Sequence, residues 1–479
     1  MKRTVSFVQP RRLTGGRHLI NRFFLLALTS CTFFVLSCEK APEEEIGPAE
    51  IAASNRPAAG MIGINVVLNA PITEAALAEL NALGTVLDVL PQIRALTMRA
   101  SSSNLQAIQK LSFVEAANPD AARQGSPLDA VAVADFSNGL NTWNLDAINV
   151  TDLGQGRTIA QDGNGVFIGV LDTGLLDSWR QYFPQERIAT QYARSFGGGG
   201  GERGTVSDQP NKWEHDQDSH GTHVTSTIIG YNLGGTSING AAPMATIIPV
   251  KVLGQNGSGW SSVVARGIMY MAELKAGVLK DSPVVINMSL GGPVLDAIEK
   301  AAMDYAISQG VIIVASAGNR GTAGMGYPGA YEPVISVASA SLNSAFVTPT
   351  WWYSFNVADP TNVADFFIST FSSRAKSGQD LDVTAPGQYI VGPYQLNSGT
   401  LSYYYLSGTS MASPHVAGIV ALMAQKDPTL TAERAERILE AVALPMATPE
   451  AAGHGFITAD AALAGMDSQT SSPRRPRAR

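Results

Sequence analysis

The sequence predicts an α/β fold, a mostly parallel central sheet flanked by helices in three layers, preceded by a small α+β unit. Three observations carry this. Apolar runs rich in Ile and Val lie at residues 166–171, 246–253, 284–290 and 311–315. Helical stretches separate them, at 224–229, 261–276 and 295–309. Strands apolar on both faces that alternate with helices build a parallel sheet sandwiched between helices. The third observation is placement: the reactive polar residues follow strand ends or open helices, and such folds bind ligands at the carboxyl edge of the sheet.

The chain has 479 residues, enough for several domains, and 45% hydrophobic residues, ordinary for a globular protein. A formal charge of -7 argues against a nucleic-acid partner, since such proteins are usually basic. Both cysteines, Cys31 and Cys38, fall in the first forty residues. The folded part therefore has no disulfide framework, no zinc-thiolate site and no cysteine nucleophile.

Taken in order, residues 1–22 are basic, with Lys2, Arg3, Arg11, Arg12, Arg17 and Arg22 and no acid. Residues 23–36 are largely apolar and end at Ser37-Cys38. That is the layout of a secretory signal, too short for a stable membrane span. It resembles a bacterial lipoprotein signal, in which the cysteine after cleavage is lipidated. Cys38 is the expected anchor, because the polar tether 39–45 follows it; Cys31 matches the cleavage pattern better but has a shorter apolar run. Cleavage elsewhere as an ordinary signal is the alternative. Residues 39–59 are a Pro/Ala/Glu-rich linker.

From 60 to 117 the pattern reads β-α-β-β-α-β, a small ferredoxin-like unit: strands at 62–68, 85–90, 95–98 and 113–115, helices at 73–83 and 103–111. Residues 118–142 lack a period and read as an exposed linker where the chain is cut. Residues 143–465 form the main domain, with two inserted stretches. One is a five-glycine run from Gly197 with a polar continuation, read as a surface loop. The other, 342–367, carries Trp351-Trp352-Tyr353, which anchor that loop or line a cleft. The amphipathic helix 432–442 and a late turn close the domain. The Ser- and Arg-rich end, 466–479, reads as disordered.

Four stretches carry candidate chemistry. Asp172 ends a buried strand and precedes Thr173-Gly174. His220-Gly221-Thr222-His223 opens an apolar helix. Asn319 follows the strand 311–315 through Ser316-Ala317-Gly318. Gly408-Thr409-Ser410-Met411-Ala412 leads into a segment apolar all round, so Ser410 lies at the mouth of a buried helix, beside free amides. Pro414 fits only a first turn, where its missing N–H costs nothing. A serine nucleophile needs a base, a group to orient it and donors for an oxyanion. His220, His223 and His415 are the candidate bases, and Asn319 is an amide donor.

Asp172-Thr173-Gly174, His220-Gly221-Thr222-His223 and Gly408-Thr409-Ser410-Met411-Ala412 together closely resemble the active-site signatures of subtilisin-like serine proteases (subtilases, peptidase family S8), in the order Asp, His, Ser. The resemblance spans roughly 143–465, with a weaker match of the preceding unit to an inhibitory propeptide. It implies Ser410 as nucleophile, His220 as general base, Asp172 as its orienting group, and Asn319 with the Ser410 amide as oxyanion donors. It leaves His223 and His415 structural. Ser289, Leu290 and Gly291 would pair with an extended substrate, and Ser316, Ala317 and Gly318 would wall the specificity pocket. Arg320 on its rim would disfavour a basic residue there. No cofactor is required for the chemistry. Structural calcium belongs to the family pattern, but Asp216-Gln217-Asp218 reads more simply as a solvated acidic loop. Expected partners are polypeptide substrates, the chain's own propeptide as inhibitor, and a membrane through the lipid; the expected location is extracytoplasmic, in the bacterial cell envelope or secreted. A catalytically silent peptide binder on the same scaffold is the competing reading, and the four filled chemical positions count against it.

Overall fold

The computed structural model describes residues 60–125, 129–132, 141–153, 156–197, 206–395 and 402–469. The signal-like segment with both cysteines, the linker 39–59, the glycine run beyond Gly197 and the end from 470 lie outside them.

Alternation of Ile64, Val66 and Leu68 along one face starts the first unit; all three are buried. Its elements are β1 (Met61–Leu68), α1 (Glu74–Leu83), β2 (Gly84–Leu90), β3 (Ala95–Ser101), α2 (Leu105–Gln109) and β4 (Val114–Pro119). The sheet order is β2-β3-β1-β4, antiparallel throughout, which matches the ferredoxin-like expectation. Thr73 caps α1 by accepting the Ala76 N–H. The second helix is shorter than expected, because Ser102–Asn104 forms a 3₁₀ turn with its own serine hydrogen bonds.

The described part of the stretch read as an exposed linker is mostly strand, not loop. β5 (Ala122–Gln124) and β6 (Asp129–Ala132) are strands with partners far along the chain, and Arg123 is buried. No local period announces them because their neighbours come from the main domain.

That domain continues with β7 (Phe167–Asp172), β8 (Arg194–Ser195), α3 (His220–Ile229), β9 (Thr246–Lys251), β10 (Ser258–Trp260), α4 (Ser261–Ala276), β11 (Val284–Met288), α5 (Ala297–Ser308) and β12 (Val311–Ser316). Then come β13 (Ile335–Leu342), β14 (Phe366–Ile368), β15 (Val383–Pro386), β16 (Tyr403–Ser407), α6 (Thr409–Lys426), α7 (Ala432–Val442) and α8 (Ala459–Gln469). The last helix reaches four residues into the stretch expected to be disordered.

The main sheet runs β8-β9-β7-β11-β12-β13-β14, with β15 also on β13. Its ladders are parallel except β13 with β14. Successive residues of each strand feed opposite faces: Ile168, Val170, Val285 and Ile312 pack with α3 and α6, whereas Leu171, Ile286 and Ile313 pack with α4 and α5. β7 lies between β9 and β11, where the connection reverses direction, so its carboxyl end opens on the crevice where α/β sheets bind ligands.

Helix α6 is buried from Thr409 to Ala424. Burying each of its large apolar side chains, such as Ile419 and Leu422, contributes about 1.5–3 kcal/mol. The inserted aromatics serve as anchors: Trp351 and Trp352 are buried, and Trp351 lies 6.0 Å from Trp143 and 5.8 Å from Tyr405.

Candidate active site

Asp172 closes β7, and His220 opens α3. His220 Nδ1 lies 2.8 Å from Asp172 Oδ1, and both side chains are fully buried. The carboxylate holds the proton on Nδ1, which leaves Nε2 as the basic atom. Burial opposes charge on this imidazole, but Asp172, with Asp218 and Asp216, outweighs it and raises His220 above the usual range.

The glycines and threonines of the two signatures join the strand end to the helix. Gly221 N–H donates to Thr173 Oγ1 (2.8 Å), and Leu176 N–H donates to Thr222 Oγ1 (2.9 Å). A Cβ on Gly221 would stand 2.4 Å from the Gly174 carbonyl oxygen, so only glycine permits this approach. Ser219, just before the base, takes a left-handed conformation (φ 75°), a strained setting for a residue with a side chain. Asp216 accepts the Ser219 N–H (2.9 Å) and the Thr222 hydroxyl (3.3 Å). Its oxygens therefore serve the start of α3 rather than a solvated loop, and burial lifts its pKa to about 7.

Ser410 occupies the second residue of α6, where the first-turn amides have no intrahelical partner. Asn319 Oδ1 accepts both the Thr409 N–H (2.9 Å) and the Thr409 hydroxyl (2.9 Å). This fixes the amide so that Nδ2 faces the helix entrance. A Cβ on Gly408 would lie 3.3 Å from Asn319 Nδ2 and 3.7 Å from the Ser410 nitrogen. Two donors thus lie close to Gly408, where a side chain would crowd the Asn319 amide.

Pro414 is the sixth residue of the helix, not in its first turn. A proline there strands the carbonyl four residues back, that of Ser410, at a cost of about 3 kcal/mol. Ser289 repairs the loss by donating its hydroxyl to the Ser410 carbonyl (2.8 Å). Ser413 Oγ to Asn287 Oδ1 (2.6 Å) and Asn287 Nδ2 to Ser289 Oγ (3.0 Å) extend this buried chain.

The Ser410 hydroxyl donates to the Ser289 carbonyl (3.2 Å), and His220 Nε2, buried, has no hydrogen-bond partner. In this uncleaved chain no serine–histidine hydrogen bond joins the nucleophile and base that the resemblance implies. Such bonds often tighten only with substrate in place.

His223 and His415 are structural, as expected. His223 Nε2 lies 3.0 Å from the Ile390 carbonyl, and His415 lies between the Met411 carbonyl (2.8 Å) and Asn144 (2.7 Å). Burial lowers them to about 3 and about 4, so both are neutral at pH 7.

The cleft is filled by the chain itself. β5 pairs antiparallel with β10, Arg123 opposite Gly259. On its other side Gln124 and Gly291 exchange both backbone hydrogen bonds (3.2 and 3.0 Å). Gly125 N–H donates to the Gly257 carbonyl (2.8 Å), and a Cβ there would stand 3.6 Å from His220 Cε1. Gly291, expected to pair with an extended peptide, pairs with one. Ser316 and Ala317 are buried at the end of β12. Gly318, at φ 103°, donates its N–H to Thr409 Oγ1 (3.0 Å), and Arg320 is exposed beyond it.

Sequence reasoning missed the contacts that dock this segment. Asp120 accepts the Ser262 N–H (3.0 Å) and hydroxyl (2.5 Å), capping α4, whose own N-cap, Trp260, has no side-chain acceptor. The Arg123–Glu299 ion pair is fully buried. A proline- and alanine-flanked Asp and Arg in an aperiodic stretch give no signal of either. For metals, Asp380, Asp382, Glu436 and Glu440 place oxygens within 4.8 Å of one another, the one such group among the described residues.

A buried carboxylate–imidazole pair, a helix-entry serine and converging amide donors at the edge of a parallel sheet define a serine hydrolase that acts on extended polypeptide. The Subtilase family (peptidase S8) model matches residues 163–467, and this chain belongs to that family, whose members are serine endopeptidases. It is 31% identical over 317 residues to the thermostable alkaline protease of Halalkalibacterium halodurans, covering 66% of this chain and 72% of that protein. It is 32% identical over 304 residues to subtilisin DY of Bacillus licheniformis, covering 63% of this chain and 91% of the relative. Among solved structures, fervidolysin from Fervidobacterium pennivorans, a keratinolytic enzyme related to subtilisin, superposes with a TM-score of 0.60 at 24% identity. That match spans 85% of this chain and 62% of fervidolysin, and it speaks to the fold.

Proposed function

We propose that the chain is the zymogen of an extracytoplasmic serine endopeptidase that processes itself. The observation that carries this is the backbone of residues 122–125, hydrogen-bonded on both edges in the cleft and ending against His220. Strand addition of this kind recognises main chain first, which suits an enzyme that cuts many polypeptides.

In the reaction, Ser410 Oγ turns toward His220 Nε2, gives up its proton and attacks the scissile carbonyl. Asp172 stabilises the imidazolium that forms. Asn319 Nδ2 and the Ser410 N–H receive the oxyanion, His220 returns the proton to the leaving amine, and water then releases the acyl-enzyme. Residue 125 abuts the base, while Asp129 pairs with Ser407, three residues before the nucleophile. The first cut therefore falls between Gly125 and Asp129, after which residues 60–125 remain as an inhibitor until released. Arg320 at the pocket rim disfavours Lys or Arg immediately before the scissile bond. Cys38 carries a lipid that holds the enzyme at the cell envelope. Among the described residues no helix is long and apolar enough to cross a membrane.

Expression from residue 39 followed by N-terminal sequencing tests the reading. Wild type should acquire a new N-terminus between residues 126 and 129 and label with a fluorophosphonate probe at Ser410. The Ser410→Ala chain should do neither; its processing at the same bond would overturn the proposal.

A further inference from the structure

We infer that the protease has a buried guanidinium-binding pocket, floored by Glu299, which selects substrates with arginine two residues upstream of the residue that abuts His220. This rests on residues 122–125 lying as a substrate lies. In this chain the position is held by Arg123, two before Gly125.

The pocket is built for that side chain. Arg123 Nε donates to Glu299 Oε1 (3.0 Å) and Nη2 to Glu299 Oε2, a fork-on-fork pair. Nη1 donates to the Ala122 carbonyl (2.9 Å), and Nη2 also to the Val294 carbonyl (3.3 Å). Both charged side chains have no exposed surface. Gly292 leaves room for it: a Cβ there would stand 2.8 Å from Arg123 Nη1. The backbone of Arg123 is set by its ladder with Gly259, so the side chain enters at a fixed register.

Glu299 is held in the first turn of α5 by the main domain, not by the segment that leaves. Once residues 60–125 depart, it remains as a carboxylate in a recess that the departing arginine had covered. An apolar residue placed over it buries an unpaired charge, which is costly, whereas an arginine restores the pair. Lysine offers a point charge without the fork and should do less well.

The test has two arms. Mature wild-type enzyme is assayed on internally quenched fluorogenic peptides that copy residues 121–131, with Arg, Lys, Leu or Ala at position 123 and no other change. The Arg peptide should exceed the Leu peptide roughly 100-fold in kcat/KM, with Lys between. Glu299→Gln should erase most of that ratio by lowering kcat/KM for the Arg peptide. Equal rates for Arg and Leu in wild type, or a ratio that survives Glu299→Gln, overturns the inference, although the endopeptidase reading stands as long as any peptide is cut. The second arm needs no activity: in the full-length Ser410→Ala chain, Glu299→Gln should speed amide exchange at residues 122–124 at least tenfold and leave β1–β4 unaltered. Unchanged exchange at 122–124 overturns the pocket.

Discussion

Ser410, His220, Asp172 and Asn319 differ in what their loss removes. Ser410→Ala and His220→Ala should abolish nearly all peptide hydrolysis, because no neighbouring group replaces a nucleophile or its base. Asn319→Ala removes one of two oxyanion donors and should lower kcat about 10²–10³-fold, the magnitude known for such a donor in a relative, subtilisin. Active-site-titrated kcat measurements give the order directly. The imidazole also sets a pH limb. Its folded pKa is raised above 6.5 because Asp172 and its acidic neighbours outweigh burial. Only the neutral form is a base, so kcat/KM should fall as pH drops through a value above 6.5. In Asp172→Asn that limb should move to lower pH, alongside a large loss of rate. The linkage has the matching sign: the charged pair stabilises the fold below pH 6.5, and that contribution fades as pH rises through the folded pKa.

Helix α6 and the strand–helix junction at Asp172 show how elements hold these groups. Pro414 is tolerated because Ser289 bonds the carbonyl it strands. Ser289→Ala should therefore leave a buried carbonyl unsatisfied and destabilise the protein by about 1–3 kcal/mol, read by denaturant unfolding of the Ser410→Ala chain. At the junction, Gly221→Ala would force a methyl against the Gly174 carbonyl. Separation of β7 from α3 by more than half an ångström should cut kcat more than it raises KM, since the Asp172–His220 geometry is disturbed while the peptide-binding edges are not. Those signatures were legible in the sequence because each is local: strand end, helix start, glycine. The position of Pro414 was not, since its compensation comes from Ser289, 121 positions before the carbonyl it satisfies.

At the scale of the whole molecule, the first unit is docked by polar contacts that complete the main domain's own helix starts. Asp120 caps α4, and Asn65 Nδ2 reaches Asp296 Oδ2 (2.9 Å) at the start of α5. Asp120→Ala should lower the melting temperature of the uncleaved Ser410→Ala chain, as loss of a cap worth about 1 kcal/mol would, and leave the mature enzyme's kcat unaltered.

The amino-acid order alone determined the alternation of buried strands and helices, and it named the carboxylate, imidazole, amide and hydroxyl proposed for the chemistry. Each is written in a short pattern of period, turn or cap. Only the tertiary structure decided that residues 122–125 enter the cleft rather than solvent, that Arg123 meets Glu299 across 176 positions, and that Ser410 rests on the Ser289 carbonyl instead of His220. The reason is physical: these contacts join segments with no local periodicity in common. Backbone ladders and buried charges pair by proximity, and proximity is set by the packed sheet.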